Sequence, residues 1–143
     1  MGLFLFMEVS VIQKYQKKSI STLIATATRV FNAFIRKRDT LGNYFICISC
    51  QRAKSLSQMH AGHKYSAGQH PITRFDEDNV HGQCIHCNTY LHGNLEDYRK
   101  NLINKIGIEK VEELDFKVSF AKRNGFKWDR LALIEIIEKY KNK

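Results

Sequence analysis

The sequence predicts an α+β fold in which a small cysteine- and histidine-rich centre lies between helical flanks. Apolar residues in the N- and C-terminal thirds recur at three- and four-residue steps, which is the period of one helix face. Residues 42–93 instead hold five of the eight glycines, the only proline and short apolar runs, which favours short strands and loops. Because this segment has little apolar material for a core, we expect something other than hydrophobic burial to stabilise it.

The length and composition favour one small globular domain. The chain has 143 residues, of which 43% are apolar and 26% charged, and this composition excludes wholesale disorder. No run of about 18 apolar residues exists, so no membrane partner is expected. The apolar residues 1–7 lack the basic start and cleavage site of a signal peptide, so a cytoplasmic location is expected. We divide the single domain into a basic N-terminal helical arm (1–40), a cysteine- and histidine-rich core (41–95) for which the cysteines below predict zinc, and C-terminal helices (96–143).

The charge distribution favours a nucleic-acid partner. The formal net charge is +9, with +6 in residues 1–38, zero in 39–95 and +3 in 96–143. Such a basic excess in the flanks favours binding to phosphates. The predicted nucleic-acid contacts are Lys14, Lys17, Lys18, Arg36, Lys37, Arg38, Lys64 and Arg74. For the first three the alternative is a solvated helix face, and for Arg74 it is charge neutralisation at the scissile phosphate or an ion pair with Asp76 or Asp78.

Capping residues predict where the helices begin and end. The predicted helices run from a cap at Ser21 or Thr22 to Arg38, from an Asn94 cap to Gly107, over 108–114, and from an Asp129 cap to about Tyr140. Residues 115–127 carry no decisive pattern.

The four cysteines form two C-x2-C pairs, Cys47 with Cys50 and Cys84 with Cys87. Two such knuckles complete a closed tetrahedral shell of thiolates, which is typical of structural zinc, and the binding free energy then contributes to folding. Two disulfides or a redox C-x2-C are the alternatives, but no export signal or thioredoxin-like pattern supports them. The two C-x2-C pairs are separated by 33 residues, which is more than the usual separation in zinc ribbons. The length of this loop indicates that it has a function of its own.

The loop carries the residue types that phosphodiester hydrolysis needs. Such hydrolysis requires a base that works near neutral pH, for which histidine is suited, and a cation on the scissile phosphate. A hard divalent cation needs oxygen or imidazole ligands on an open site. Asn88 directly follows Cys87, so a zinc knuckle would hold it firmly as a metal ligand.

Several blocks in this order resemble a known family. The C-x2-C pairs, the histidine-bearing strand, Asn79 ahead of the second pair and Asn88 after it are similar to the HNH, or ββα-metal, nuclease motif. Over about residues 20–140 the chain is similar to the phage NinG (Rap) recombination proteins. The blocks that carry this resemblance are NAFIR (32–36), HAGHKY (60–65), RFDEDNVHGQC (74–84), Cys87-Asn88, Gly93-Asn94 and LINKIG (102–107).

The resemblance implies a small ββα-metal core and a metal-dependent endonuclease of phage recombination that acts on branched DNA such as junctions or D-loops. It also implies that the expected cytoplasm is that of a bacterial host or phage-infected cell. His63 would activate water as the general base, and Asn79 would hold the loop beside it. His60 and Asn88 would bind catalytic Mg2+ or Mn2+. This chain has His60 where the family shows Asp, which weakens Mg2+ binding relative to transition metals. The assignment of His63 as the ligand instead of the base stays open.

Other interpretations remain at this point. A zinc-stabilised DNA-binding module without catalysis needs only the four cysteines, and the helical flanks could dock a protein partner. Two cuts in branched DNA would suit a homodimer. The remaining histidines are interpreted as surface or phosphate contacts (His70, His81 and His86) or as solvated (His92).

Overall fold

The computed structural model describes residues 8–143 and has a mixed α+β fold. Its helices are α1 (Val9–Lys14), α2 (Ile20–Asp39), α3 (Leu95–Ile106), α4 (Ile108–Asn124) and α5 (Arg130–Tyr140). Its strands are β1 (Tyr44–Ile46), β2 (Ala53–Ser55), β3 (Met59–His63) and β4 (Val80–Cys84). Short helical turns cover Leu56–Gln58, Pro71–Thr73 and His86–Tyr90. The predictions made for residues 1–7 lie outside the described residues.

The described chain groups into two compact units. One contains the residues up to Phe34 together with Lys127–Lys143, and the other contains Ile35–Phe126. In the first unit, the ring of Phe31 meets that of Tyr140 edge-on at 5.0 Å, and Leu23 and Leu133 are fully buried. This unit is therefore a helical core of the ordinary apolar kind.

The second unit contains the strands and two separate apolar clusters. One consists of Ile48, Tyr98, Leu102, Val111 and Leu114, and it packs α3 and α4 together. The other cluster is made of Phe45, Met59 and the cysteines, so the sulfurs occupy the place of a hydrophobic core between the strands. This agrees with the expectation that little apolar material is available there.

The strands form two antiparallel pairs, β1 with β2 and β3 with β4. In the second pair His60 lies opposite Gln83 and His63 lies opposite Val80. Position 62 of β3 requires glycine, because a Cβ atom there would lie 2.0 Å from the Oε1 atom of Gln83 on β4. Gln83 in turn donates to the Gly93 carbonyl at 2.6 Å, which ties β4 to the segment after the second knuckle.

Helix α5 confirms the predicted Asp129 cap, whose side chain accepts from the Ala132 amide at 2.8 Å. Gly107 ends α3 as predicted. The predicted start of α2 was wrong, since the helix begins at Ile20 and the Ser19 hydroxyl accepts from the Thr22 amide.

Two other helix predictions need correction. The helix predicted over 108–114 continues to Asn124, because Val111, Leu114 and Val118 form one buried stripe. Exposed Phe116 interrupts the apolar pattern in the sequence, which is why the continuation was not predicted. Helix α1 lies within the arm predicted to be helical, but its bounds were not predicted, and none of its residues is buried.

In the part of the chain that the structure describes, no helix is both long and apolar enough to cross a membrane.

Candidate functional site

The four cysteines lie together and could hold a zinc ion. The Sγ atoms of Cys47, Cys50, Cys84 and Cys87 all lie within 4.8 Å of one another. Burial, together with the sulfurs of Cys84 and Cys47, raises the pKa of Cys87 to about 12. With so high a pKa, the thiol keeps its proton at pH 7 unless a divalent cation lies among the sulfurs and stabilises the thiolate. Four sulfur ligands in a tetrahedral arrangement are typical of structural zinc.

Local structure explains how the two knuckles form. The first one connects β1 to β2, and Gln51 turns the chain with a φ of 60° while its side chain donates to the carbonyls of Cys47 and Ile48. The second begins at the last residue of β4 and continues into the turn His86–Tyr90. Backbone amides support the sulfurs, as the Cys84 amide donates to Cys47 Sγ at 3.3 Å. Asn94 stands at the predicted cap position of α3, but its side chain donates to Cys87 Sγ instead of capping the helix.

His60 and Asn88 meet although 28 residues separate them. The Asn88 Nδ2 atom lies 2.9 Å from His60 Nδ1. Turning the amide by 180° would exchange Nδ2 for Oδ1 and direct an oxygen and an imidazole nitrogen to one point. The knuckle holds Asn88 and the strand holds His60, so this pair has the donor atoms of an open cation site.

His63 lies at the end of β3 with its ring oriented by a backbone carbonyl. Its Nε2 lies 3.0 Å from the Arg74 oxygen, which requires a hydrogen on Nε2. In the neutral ring Nδ1 then carries the lone pair. Burial lowers the pKa of His63 below its usual value of 6.5, and the charge of Arg74 acts in the same direction, while hydrogen bonding to the backbone at Arg74 and Ala61 opposes it. The ring is therefore neutral at pH 7 and able to accept a proton.

Asn79 fastens the loop that carries the Arg74 carbonyl. It is fully buried, and its Nδ2 donates to the carbonyls of Tyr65 and Thr73, both at 3.0 Å. Its Oδ1 accepts from the Tyr65 amide at 2.9 Å. These three bonds join the segment after β3 to the segment before β4. Asn79 therefore fixes the position of the Arg74 carbonyl, to which His63 donates.

His63 and Asn88 border one open depression, here called the His63 cleft, of about 560 Å3, whereas His60 and Asn79 do not line it. Its lining residues include His63, Lys64, Tyr65, Asn88 and His92. The Lys64 ammonium lies 4.3 Å from the centre of the Tyr65 ring, and the Tyr65 hydroxyl donates to Asp115. The cleft therefore combines a neutral imidazole, an amide and a cation.

His81 is not a surface residue, so the sequence interpretation was wrong there. It is 2% exposed, and its Nε2 donates to the Asp78 carbonyl at 2.9 Å. Its Nδ1 accepts from Lys105 Nζ at 2.9 Å and from Arg38 Nη2 at 3.1 Å. Burial, with the charges of Lys105 and Arg38, lowers its pKa to about 4.

Arg38 has a structural role that its position in a basic run did not suggest. Its guanidinium donates to the carbonyls of Glu77 and Val80 and pairs with Asp39 at 2.8 Å. Asp39 accepts from the Gly82 amide at 2.7 Å, and its pKa falls to about 2. Sequence reasoning missed this network, because residues 43 positions apart carry no local pattern.

The other predicted nucleic-acid contacts differ in exposure. Lys17, Lys18, Arg36 and Lys37 are exposed, whereas Lys64 and Arg74 are half-buried. Lys14 is exposed and pairs with Glu138 at 3.3 Å. Asp76, an alternative partner for Arg74, pairs with Lys117 at 2.6 Å. His92 is exposed at the rim of the His63 cleft, and His86 is exposed as expected.

Comparisons with known proteins point to one family. The family model described as bacteriophage lambda NinG protein matches residues 8–143. The chain is 39% identical to protein ninG of Escherichia phage 933W over 132 residues, which cover 92% of this chain and 61% of that protein. Against protein ninG of Salmonella phage P22 it is 43% identical over 104 residues, covering 73% and 49% of the two chains. For protein ninG of Escherichia phage lambda the identity is 39% over 117 residues, covering 82% and 53%.

This chain thus spans at most about three fifths of the length of these relatives. None of the solved structures matches it. The family match covers every described residue, including both knuckles and the His63 cleft, and on that ground the chain belongs to the NinG family of bacteriophage proteins.

Proposed function

We propose that this protein is a metal-dependent DNA endonuclease of the HNH type that cuts branched DNA during phage recombination. One observation carries the proposal. The neutral His63 ring, oriented by the Arg74 carbonyl, shares a cleft with Asn88, whose amide lies 2.9 Å from the His60 ring. A zinc-binding module without catalysis has no need for this second group of residues.

The local topology supports the same proposal. Strands β3 and β4 are antiparallel, and β4 leads directly into the helical turn that bears Asn88. This is the order of elements that a ββα-metal site requires. The base is on the first strand, the residue that holds its loop precedes the second, and the cation ligand is on the following turn.

The mechanism follows from the orientation of His63. With its Nε2 hydrogen directed to the Arg74 carbonyl, its Nδ1 lone pair can take a proton from a water molecule that attacks the phosphorus. Asn79 keeps the carbonyl in place, so the ring does not turn during the transfer. Lys64, at the wall of the cleft, attracts the phosphate. A cation at His60 and Asn88 would supply charge stabilisation to the phosphate and the leaving oxygen.

The donor set bears on which cation is used. His60 and Asn88 offer one imidazole and one amide, and no carboxylate, so Mn2+ should serve better than Mg2+. Zinc would stay in the closed sulfur cluster, where no coordination position is open to substrate.

A cleavage assay tests the proposal. The purified protein is incubated with a four-way junction, a D-loop, a Y-shaped duplex and a linear duplex of the same sequence, with Mn2+, Mg2+ or neither. Zinc content is measured on the same sample. We expect cuts near the branch only with an added divalent cation, and a rate at least about 100-fold lower with His63→Ala.

The possible outcomes separate the candidate functions. Binding of DNA without metal-dependent cutting under any of these conditions would reject the endonuclease and leave the DNA-binding module. Cutting by His63→Ala at the wild-type rate would remove this residue from the chemistry. Sedimentation of the protein with a junction would show whether two copies bind, as a homodimer requires.

A further inference from the structure

The turn after Asn88 carries an exposed apolar ridge, formed by Tyr90 and Leu91. The side chains are 71% and 45% exposed. The Tyr90 ring lies 6.0 Å from the His86 ring, tilted by 32°, and it lines neither of the neighbouring depressions. The exposed Tyr90 ring lies two residues beyond the candidate cation ligand Asn88. From this position it can contact a substrate bound at the cation site.

The ridge separates two clefts. On one side, His92 and Gly93 belong to the wall of the His63 cleft. On the other side, His86 and Leu91 belong to the wall of a second depression of about 420 Å3. The same short turn thus forms a wall of both.

The second depression, here called the Lys54 cleft, is basic. Arg52, Lys54 and Lys100 line it, and Asp97 is the acidic side chain among its described lining residues. The polar side chains of Ser49 and Asn101 border it as well. A cleft with this composition is suited to a phosphate backbone.

The cations of the Lys54 cleft differ from others in the same unit. Elsewhere Lys105 pairs with Asp39, Arg99 with Asp115 and Lys117 with Asp76. Among residues 8–143 no carboxylate lies within salt-bridge distance of Arg52, Lys54 or Lys100. Their charges are therefore available to a ligand.

We propose that the ridge stacks against an unpaired base where DNA strands diverge, with one strand's phosphates in the His63 cleft and the other strand's phosphates in the Lys54 cleft. This inference rests on the proposed function and assigns its preference for branched DNA to particular residues. A linear duplex has no unstacked base to offer Tyr90, whereas a branch point has. Base stacking on aromatic side chains accepts any sequence, so the ridge selects for DNA shape and not for bases.

The first test measures binding to a Y-shaped DNA and a linear duplex, without added Mg2+ or Mn2+. We expect Tyr90→Ala to weaken binding to the branched DNA by about tenfold, and to the linear duplex by less than about twofold. Tyr90→Phe keeps the ring and should bind like the wild type. Phe116→Ala is the matched control, because Phe116 is also an exposed aromatic residue, is 64% exposed and lines neither cleft.

A fluorescent base analogue reports the contact directly. With 2-aminopurine at the branch point, wild type and Tyr90→Phe should change its fluorescence equally, and Tyr90→Ala should not. Equal fluorescence changes in all three proteins would overturn the proposed stacking of Tyr90 on a base at the branch. The same holds if the wild type does not prefer branched to linear DNA.

The second test replaces the three cations by glutamine (R52Q, K54Q and K100Q together). Binding to branched DNA should weaken, and the dependence of log K on log salt should become shallower by about 2–3 units, which is the loss of about three phosphate contacts. The control removes the same charge from α4 (K110Q, K122Q and R123Q together). Zinc is quantified in both proteins. Zinc loss with unchanged DNA binding would mean that the three cations stabilise the negatively charged sulfur cluster. That result would overturn the proposed binding of DNA phosphates in the Lys54 cleft.

Failure of this inference is distinct from failure of the proposed function. If the wild type cuts branched DNA and Tyr90→Ala keeps the full preference for it, only the ridge is rejected. If the wild type never cuts, but its preference for branched DNA depends on Tyr90, the ridge stands and the endonuclease is rejected.

Discussion

His63 and His81 lie on paired strands, and the comparison between them separates a proposed catalytic histidine from a structural one. Both have a lowered pKa, and burial is the main cause for both. His81 uses both ring nitrogens, one toward Lys105 and Arg38 and the other toward Asp78. In His63 the Nε2 atom is fixed by the Arg74 carbonyl, and the residue borders an open cleft. A lowered pKa therefore does not identify a catalytic group, whereas access to a cleft favours one.

The largest effect is expected for His63→Ala, because it removes the proposed base. The turnover number for branched DNA should fall by about 10²- to 10⁴-fold, while the melting temperature stays near that of the wild type. For the wild type, the rate should rise with pH through a pKa below 6.5, since the ring acts in its neutral form. Single-turnover cleavage between pH 5 and 8 measures this, and a loss below threefold would place the base elsewhere.

Asn79→Ala should come next, because it frees the loop that orients His63. We expect turnover to fall by about 100-fold through misplacement of the base, and stability to fall by about 2 kcal/mol through the lost buried bonds. Asn104→Ala, at an exposed asparagine on α3, is the control. Kinetics must be corrected for the folded fraction. If the folded variant cuts at the wild-type rate, Asn79 only stabilises the fold.

His60→Asp should change the metal preference and leave the fold intact. A carboxylate binds Mg2+ better than an imidazole does, so the rate with Mg2+ relative to Mn2+ should rise by about tenfold. Titration of both cations in the cleavage assay measures the ratio. An unchanged ratio would mean that His60 is not a ligand, and would favour the alternative that His63 is.

His81→Ala should have the smallest effect on catalysis. It leaves Lys105 and Arg38 without their ring acceptor, so the free energy of unfolding at pH 7 should fall by about 3 kcal/mol. The cleavage rate per folded molecule should stay within about threefold of the wild type. Urea unfolding and active-site titration distinguish the two quantities, and a hundredfold loss of turnover in the folded fraction would contradict a structural role.

The pH dependence of stability sharpens the same comparison. Because the pKa of His81 falls from its ordinary 6.5 to about 4 on folding, the unfolded chain binds the extra proton between these values. The contribution of the His81 ring to the free energy of unfolding is therefore constant above pH 6.5. As the pH falls toward 4, about 3 kcal/mol of this free energy is lost. Arg38, Lys105 and Asp39 face the ring, and Asp39 stays ionised in this range since its pKa is about 2. Urea unfolding at pH 7 and 4.5 should show a smaller pH effect in His81→Ala, and an equal effect in both proteins would contradict the assignment.

Local patterns predicted much of the helical structure. The Asp129 cap of α5 and the Gly107 end of α3 depend on neighbours within four residues, and both predictions were confirmed. The continuation of α4 was missed, because exposed Phe116 and Phe120 conceal which face of the helix is buried. The buried face is set by α3, which packs against it and which no local window contains.

The sequence by itself determined the mixed α+β class, the family and the four cysteines that could share an ion, because fixed spacings and ordered blocks encode them. Only the tertiary structure decided which histidines face water and which are enclosed. His63 and His81 are both followed within a few residues by charged or polar side chains, and nothing local separates them. The enclosure of His81 by Arg38 and Lys105, and the Asn79 bonds that orient His63, join distant segments, and such contacts exist only when β3, β4 and the helices have packed.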